Sequence, residues 1–369
     1  MAKAIPSKQL LRAAGLVFTH DGMPGYHRRR SGRGFSYLTP AGDLLKDREE
    51  VSRIRSLVIP PAYERVWVCP VPEGHLQATG FDQRGRKQYR YHPGWHELAG
   101  DRKFDQLPAF AKALPRIRQH VRAALSQETL GKDRIVAGIV ALLDETGFRI
   151  GNARYARDNK SFGLVSLLSR HLSETEDGWA LQFRGKSGKD HEADIRNPRI
   201  STLISELQEL PGQRLFRYED EDGGWHDIGT TEVNAWLKEH GGGDFTAKQF
   251  RTWRATVLCA IGLGIELPPE SEAARRRAEL TAIKATAQLL NHTPATCRKY
   301  YLYPAIFRAY RDGVLYTAMH SPPPGLRKSD GSSKLKAHER RVLALIESGN
   351  SPSPRKRPSP SSNHHALPR

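Results

Sequence analysis

The strongest constraint on this chain is a change of hydrophobic period part-way along it. From Phe110 onward, apolar residues recur every three or four positions: Phe110, Leu114, Ile117 and Val121, then Ile135, Ile139 and Leu142. That spacing collects them on one face of an α-helix, which turns once in about 3.6 residues. The helical pattern breaks once. "WALQF" alternates, with Trp179, Leu181 and Phe183 on one face; "RGKSGKD" is a glycine-rich turn; "HEADI" returns. This predicts a β-hairpin set into a helical domain. Helices resume through "TEVNAWLKEH", "KQFRTWRATVLCAIG" and "RRRAELTAIKATAQLL", the last with a stripe of Leu280, Ile283, Ala287 and Leu290.

The first hundred residues read differently. "LLKDREEVSRI" places Leu44, Leu45, Val51 and Ile54 on roughly one helical face. "ERVWVCP" and "KQYRYH" read as strands, with "GFDQRGR" as the turn before the second. In "KQYRYH", Tyr89 and Tyr91 fall on one face and Gln88 and Arg90 on the other, because strand side chains alternate. The expected fold class is therefore α+β: a small β-rich N-terminal domain over 1–95, then a larger, mainly helical domain with a hairpin insert over 96–318. The connection runs through "PGWHELAGDRKFDQLP". Residues 319–369 are rich in Pro, Ser and Arg and are expected to be a disordered basic tail, broken by one helix around "AHERRVLALIE".

Charge narrows the partner. The 369 residues carry a net charge of +18. The tail holds ten Lys/Arg against three Asp/Glu, a surplus of seven, which leaves +11 on residues 1–318. A folded part that is basic in its own right favours a polyanion, nucleic acid or an acidic membrane surface. Cys69, Cys259 and Cys297 are the three cysteines, far apart and without a CxxC pair. That argues against a zinc site or a disulfide framework and for a reducing compartment. The N-terminus shows no signal-peptide core, and no segment approaches eighteen consecutive apolar residues, so a secreted or membrane-spanning protein is not expected. GxxxxGK[ST], GxGxxG between strand and helix, and HExxH are all missing, which argues against nucleotide hydrolysis and a bound metal.

One stretch near the end, "NHTPATCRKYYLYP" (291–304), poses a chemical question. Asn291 ends a helix; Thr293-Pro294 suits an N-cap followed by proline at the first helical position, and Pro304 repeats the device. Tyr300 and Tyr303 are three apart and are expected to share a face, with Tyr301 pointing elsewhere. On spacing alone all three can be packing groups. A tyrosine nucleophile needs help, since only about one free phenol in a thousand is ionised at neutral pH. Neighbouring cations favour the phenolate, and Arg298 and Lys299 are close in sequence. Attack on a phosphodiester without a metal also needs arginines and a lysine or histidine around the phosphate. Candidates stand at three other places: Arg149 in "TGFRIGNARYARDNKSFGL", Lys186 and Lys189 at the hairpin turn, and Lys248 and Arg251 one helical turn apart. Singly, each is an ordinary surface charge. The ordered set, Arg, hairpin Lys, Lys-x-x-Arg, His, Tyr, is far more specific.

Carried by "KQYRYH", "FRIGNARYARDNKSFGLVSL", "FRGKSGKDHEADI", "KQFRTWRAT" and "NHTPATCRKYYLYP", the sequence resembles the type IB DNA topoisomerases of the small bacterial and poxvirus kind over about residues 30–315. The resemblance implies roles at matching positions. Arg149 and Arg251 match the two catalytic arginines, and Lys186, directly after Gly185, matches the general acid, whereas Lys189 does not. His292 matches the histidine that hydrogen-bonds a non-bridging phosphate oxygen, and Tyr301, nine residues on, matches the nucleophile. Tyr300 and Tyr303 keep a packing role. Gln88, Tyr89 and Tyr91 match the DNA-contacting "QYxY" pattern, Tyr155 matches a phosphate- or base-contacting tyrosine, and Lys248 is a further DNA-contact candidate.

The resemblance further implies a monomer clamping double-stranded DNA, cleavage of one strand through a 3′-phosphotyrosyl bond, swivelling and religation, with no ATP, metal or small-molecule cofactor, no membrane association, a tyrosine-recombinase-like helical fold, and a bacterial cytoplasmic, nucleoid-associated location. Two rivals are weighed against it. A site-specific tyrosine recombinase shares the Arg–Lys–His/Arg–Tyr set, but His292 is followed by Thr-Pro-Ala with no arginine at the third position. A non-catalytic DNA-binding protein has no reason to assemble all five groups.

Overall fold

The computed structural model describes residues 11–12, 14–95, 104–322 and 335–349, and the chain divides into two compact units at Phe104/Asp105. Residues 96–103 of the expected connection, and 323–334 and 350–369 of the tail, lie outside the described residues.

The first unit is a five-stranded antiparallel sheet in the order β2-β1-β3-β4-β5: β1 Tyr26–Ser31, β2 Gly34–Leu38, β3 Glu64–Val68, β4 Leu76–Phe81 and β5 Lys87–Tyr91. Its helix α1, Arg48–Ser56, starts later than the apolar spacing suggests. The Asp47 carboxylate accepts from the Glu49 and Glu50 backbone N–H groups, at 2.9 and 3.2 Å, and fixes the N-terminus there. Leu44 is left in extended chain and exposed, while Leu45 still packs against the core. Alternation gives the sheet two apolar faces. Val66, Val68 and Ala78 pack with Tyr37 and with Ile54 of α1, and Trp67, Cys69 and Leu76 pack on the other side with Tyr91. Gly80 and Phe81, expected in a turn, belong to β4; the reversal is made by 82–86, where Asp82 accepts from the Arg84 and Arg86 backbone N–H groups.

The second unit is mainly helical: α2 Gln106–Ala124, α3 Lys132–Thr146, α4 Ala153–Asn159, α5 Pro198–Glu209, α6 Thr230–Gly241, α7 Ala247–Leu263, α8 Glu272–Leu289, α9 Pro294–Tyr301, α10 Pro304–Arg311, α11 Val314–His320 and α12 Ala337–Gly349. The expected hairpin is present as β7 Gly178–Arg184 and β8 Asp190–Ile195, extended by β6 Leu172–Thr175 into a three-stranded sheet. A two-stranded ribbon, β9 Arg217–Glu219 and β10 Trp225–Asp227, precedes α6. Helix α7 is central. It touches α2, α3, α6 and every helix from α8 to α12, so it is buried on most sides, Arg251, Thr252 and Thr256 included. Its start is set by Thr246, whose backbone N–H and hydroxyl both donate to the Gln249 side-chain oxygen.

Two sequence expectations change here. In α8 the buried stripe is Glu279, Ala282, Ile283, Thr286 and Ala287, and Leu280 is exposed, one position off the face that meets α7. Residues 335–349, expected to stand apart as part of the tail, belong to the helical unit. Leu335, Val342, Leu345 and Ile346 are buried, and the buried Glu339 carboxylate receives both terminal nitrogens of Arg118 at 2.8 Å and the Trp253 indole N–H at 3.2 Å. Arg118 also pairs with Asp144 of α3. A charge buried this way needs paired partners, and Glu339 ties α12 to α2 and to α7.

Candidate active site

Four side chains from three stretches of the sequence converge beside the N-terminal half of α7. Arg149 follows the end of α3. That helix stops at Gly147, which adopts a left-handed φ of 66°. The segment after it is laid against 163–165: Leu164 and Val165 donate to the carbonyls of Arg149 and Ile150 at 3.0 and 2.8 Å. Gly151 and Gly163 make this approach possible, since a Cβ on Gly163 would lie 2.5 Å from the Gly151 Cα. The alignment leaves Arg149 half-buried, its side chain directed to His292.

Arg251 stands on α7 and is 3% exposed. Its guanidinium donates to the carbonyls of Gly147 and Leu290, the ends of α3 and α8, and to His292 Nε2 from Nε at 3.2 Å and Nη2 at 3.0 Å. Arg149 Nη2 reaches the same imidazole, 3.3 Å from Nδ1. The Tyr301 ring lies 4.4 Å from the His292 ring, centroid to centroid, and the Arg251 guanidinium carbon is 5.6 Å from the centre of the Tyr301 ring. Thr256 fixes the turn after α9 by donating to the Tyr301 carbonyl at 3.1 Å and accepting from the Tyr303 N–H at 3.3 Å.

Lys186 approaches from the hairpin. It is exposed at the tip of the β7–β8 turn, whose base closes through Gly185 N–H to the Lys189 carbonyl at 2.7 Å. Its charge, with that of Lys189, acts on His292. The hairpin is anchored by His191, buried and stacked on Phe183 at 5.1 Å and edge-on to Phe148, the neighbour of Arg149.

The electrostatics are one-sided. Among the described residues neither Arg149 nor Arg251 has a carboxylate partner. Burial pushes the Arg251 guanidinium down to about 10, with Arg149 adding to the effect, so it remains charged at neutral pH. Burial also lowers Arg149. Burial first, and then Arg251, Arg149, Lys186 and Lys189, push His292 down to about 3, so the imidazole is neutral and accepts from Arg251. The Arg149 Nη1 nitrogen is buried with no hydrogen-bond partner among the described residues. Two uncompensated guanidiniums and an orphan buried donor make a site that is short of an anion.

The remaining sequence candidates fall elsewhere. Tyr300 is 46% exposed and Tyr303 is 7% exposed, so they do not share a face. Helix α9 ends at Tyr301, and Tyr303 is already the cap residue of α10, which breaks the three-residue spacing. Arg298 faces Glu279 and the Phe307 ring, so the cations beside Tyr301 come from other segments. Lys248, one turn before Arg251, is exposed, as is Tyr155 on α4, whose start is capped by Asn152. In the first unit Tyr89 and Tyr91 stack with ring centres 6.1 Å apart on one face of β5, and the Gln88 amide donates to Asp82 at 2.9 Å. The sequence reading passed over Thr256, His191 and the Arg118–Glu339–Trp253 tie. Thr256 acts on a carbonyl 45 residues away and Arg118 on a carboxylate 221 residues away, and no local spacing signals such partners.

Comparison with known proteins identifies the family over most of the chain. A family model described as the eukaryotic DNA topoisomerase I catalytic core matches residues 94–313, and one described as the bacterial DNA topoisomerase IB N-terminal domain matches 34–82. The chain is 32% identical over 305 residues to the DNA topoisomerase 1B of Acanthamoeba polyphaga mimivirus, covering 81% of this chain and 91% of that protein. It is 23% identical over 281 residues to the DNA topoisomerase 1B of Vaccinia virus (strain Western Reserve), covering 74% and 83%.

Proposed function

The chain belongs to the type IB DNA topoisomerase family and is an enzyme that relaxes supercoiled DNA; from that premise we propose that Arg149, Lys186, Arg251, His292 and Tyr301 carry out the strand transfer. The observation that carries this reading is the anion-deficient cluster itself, with the Tyr301 ring against His292 and a buried Arg149 nitrogen that has no hydrogen-bond partner among the described residues.

The phenolic oxygen of Tyr301 gives its proton to water and attacks a backbone phosphorus, forming a 3′-phosphotyrosyl bond and breaking the bond to the 5′ oxygen. Arg149 and Arg251 carry the charge that builds on the non-bridging oxygens, and the His292 ring hydrogen-bonds one of them. Because these groups are fixed before DNA arrives, little reorganisation is needed at the moment of reaction. Lys186 donates a proton to the departing 5′ oxygen, a poor leaving group without one. The free end swivels, and the reverse reaction reseals the strand. The phosphodiester energy is kept in the covalent bond, so the cycle needs neither nucleotide hydrolysis nor a metal.

Gln88, Tyr89, Tyr91, Tyr155 and Lys248 are read as DNA contacts, the protein acts as a monomer on duplex DNA, and the helical unit shares its plan with tyrosine recombinases. No helix among the described residues is long and apolar enough to cross a membrane, and a place on the nucleoid in a bacterial cytoplasm fits the substrate. The test is relaxation of supercoiled plasmid in EDTA without ATP, wild type beside Tyr301→Phe. The wild type relaxes the plasmid; the variant binds it and does not. Retained relaxation by Tyr301→Phe would move the nucleophile to another residue.

A further inference from the structure

Asn291 occupies a position that the proposed chemistry leaves unexplained. It is one of the few non-glycine residues with a left-handed backbone, φ 53°, a conformation that asparagine tolerates better than most side chains. It stands between two groups held by a single guanidinium. Arg251 binds the Leu290 carbonyl on one side and the His292 ring on the other. The Asn291 side chain points away from both, across to the hairpin. Its amide nitrogen donates to the Asp190 backbone carbonyl at 2.6 Å and lies 3.3 Å from His191 Nδ1. Burial and the charges of Arg149 and Arg251 push His191 down to about 4, so that ring is neutral at ordinary pH.

We infer that Asn291 is a positioning residue for Lys186: its amide fixes the base of the hairpin to the segment that carries His292, and so sets the general acid in register with the nucleophile. Asp190 is the first residue of β8, paired with Arg184 across the turn that holds Lys186. Besides the closing bonds at Gly185 and Gly188 and Arg184 Nε to the Gly188 carbonyl at 3.3 Å, the turn is held on its β7 side by the Phe162 N–H, which donates to the Arg184 carbonyl at 2.8 Å; on the β8 side, at Asp190, the described hydrogen bond from outside the hairpin is that of Asn291. An exposed hairpin tip fluctuates unless it is tied down, and a shift of about 1 Å in a reacting group costs roughly a hundredfold in rate. The left-handed turn at 291 lets one residue face the hairpin while its neighbour faces the phosphate site.

The inference rests on the reading of Lys186 as the general acid, and its test separates the two. Asn291→Gly keeps the backbone conformation and removes the amide; Asn291→Ser is a second variant that retains a side chain too short to reach Asp190. Single-turnover cleavage is measured for these and for Lys186→Ala on ordinary DNA and on DNA whose 5′ bridging oxygen is sulfur, a leaving group that departs without a proton. On ordinary DNA the Asn291 variants are expected to cleave roughly 10- to 100-fold slower, and on the sulfur substrate close to the wild-type rate, as for Lys186→Ala. If Lys186→Ala is rescued and the Asn291 variants are slowed equally on both substrates, or are not slowed at all, Asn291 does not act through the general acid. If Lys186→Ala is itself slowed equally on both, the general-acid reading and this inference fall together.

Discussion

The cluster around His292 and the aromatic face of β5 are both proposed to touch DNA, and they are held in opposite ways. Arg251 is buried and spends its donors on two helix-terminal carbonyls and a histidine before any substrate arrives. Tyr89 is 45% exposed, on a strand at one edge of its sheet. The first arrangement suits chemistry, where donors must already sit where charge develops. The second suits recognition of a long, repetitive backbone, where many adjustable contacts each contribute a little. The contrast teaches that a chain can be basic throughout and still concentrate its uncompensated, desolvated charge at one place.

The largest expected effect comes from breaking the buried side. Arg251→Ala removes one of the two cations proposed to stabilise the phosphate and should slow single-turnover cleavage by about 10²- to 10³-fold or more. It also strands the carbonyls of Gly147 and Leu290, so urea denaturation should show a loss of about 1–3 kcal/mol. Normal cleavage by this variant would mean that the buried arginine is structural only.

An intermediate effect concerns acid. His191 and His292 are held at about 4 and about 3, below the ordinary histidine value near 6.5. Both stay neutral in the folded protein while the unfolded chain takes up protons, so the unfolded state binds more protons between these values. Stability is therefore full above about pH 6.5 and is lost as pH falls towards 4. The urea midpoint of the wild type should fall over that window, and His292→Gln should fall less steeply. Equal slopes would show that His292 is not desolvated as described.

The smallest effect belongs to the exposed side. Tyr89→Ala should weaken plasmid binding by less than about tenfold and leave the cleavage rate of bound DNA unchanged. Wild-type affinity should drop steeply with added salt, as neutralised phosphates release counterions. A cleavage defect in saturating DNA would erase the distinction between the two regions.

Much of this arrangement was legible in the residue pattern. Leu114, Ile117, Ile135 and Ile139 announce their helices because burial selects one face, and Leu181 and Phe183 announce the hairpin for the same reason at period two. Strand β1 was not legible. "YHRRRS" is polar at nearly every position, and Arg28 satisfies itself on the carbonyls of Ile59, Pro60 and Tyr63 instead of signalling an apolar face. The order of Arg149, Lys186, Arg251, His292 and Tyr301 could be read because their motifs are local. Which tyrosine faces the histidine could not be read from spacing, because α9 ends at Tyr301 and the helical period does not continue to Tyr303. The place of α12 was hidden too, since Glu339 finds Arg118 more than two hundred residues away.

The most direct test of the account is the identity of the residue joined to DNA. Protein trapped on nicking DNA with denaturant, then digested with trypsin, gives the peptide of residues 300–308, "YYLYPAIFR", which contains all three tyrosines. Fragmentation mass spectrometry locates the nucleotide. The account predicts a 3′-phosphoryl group on Tyr301 alone; attachment to Tyr300 or Tyr303, or through a 5′ phosphate, would contradict it.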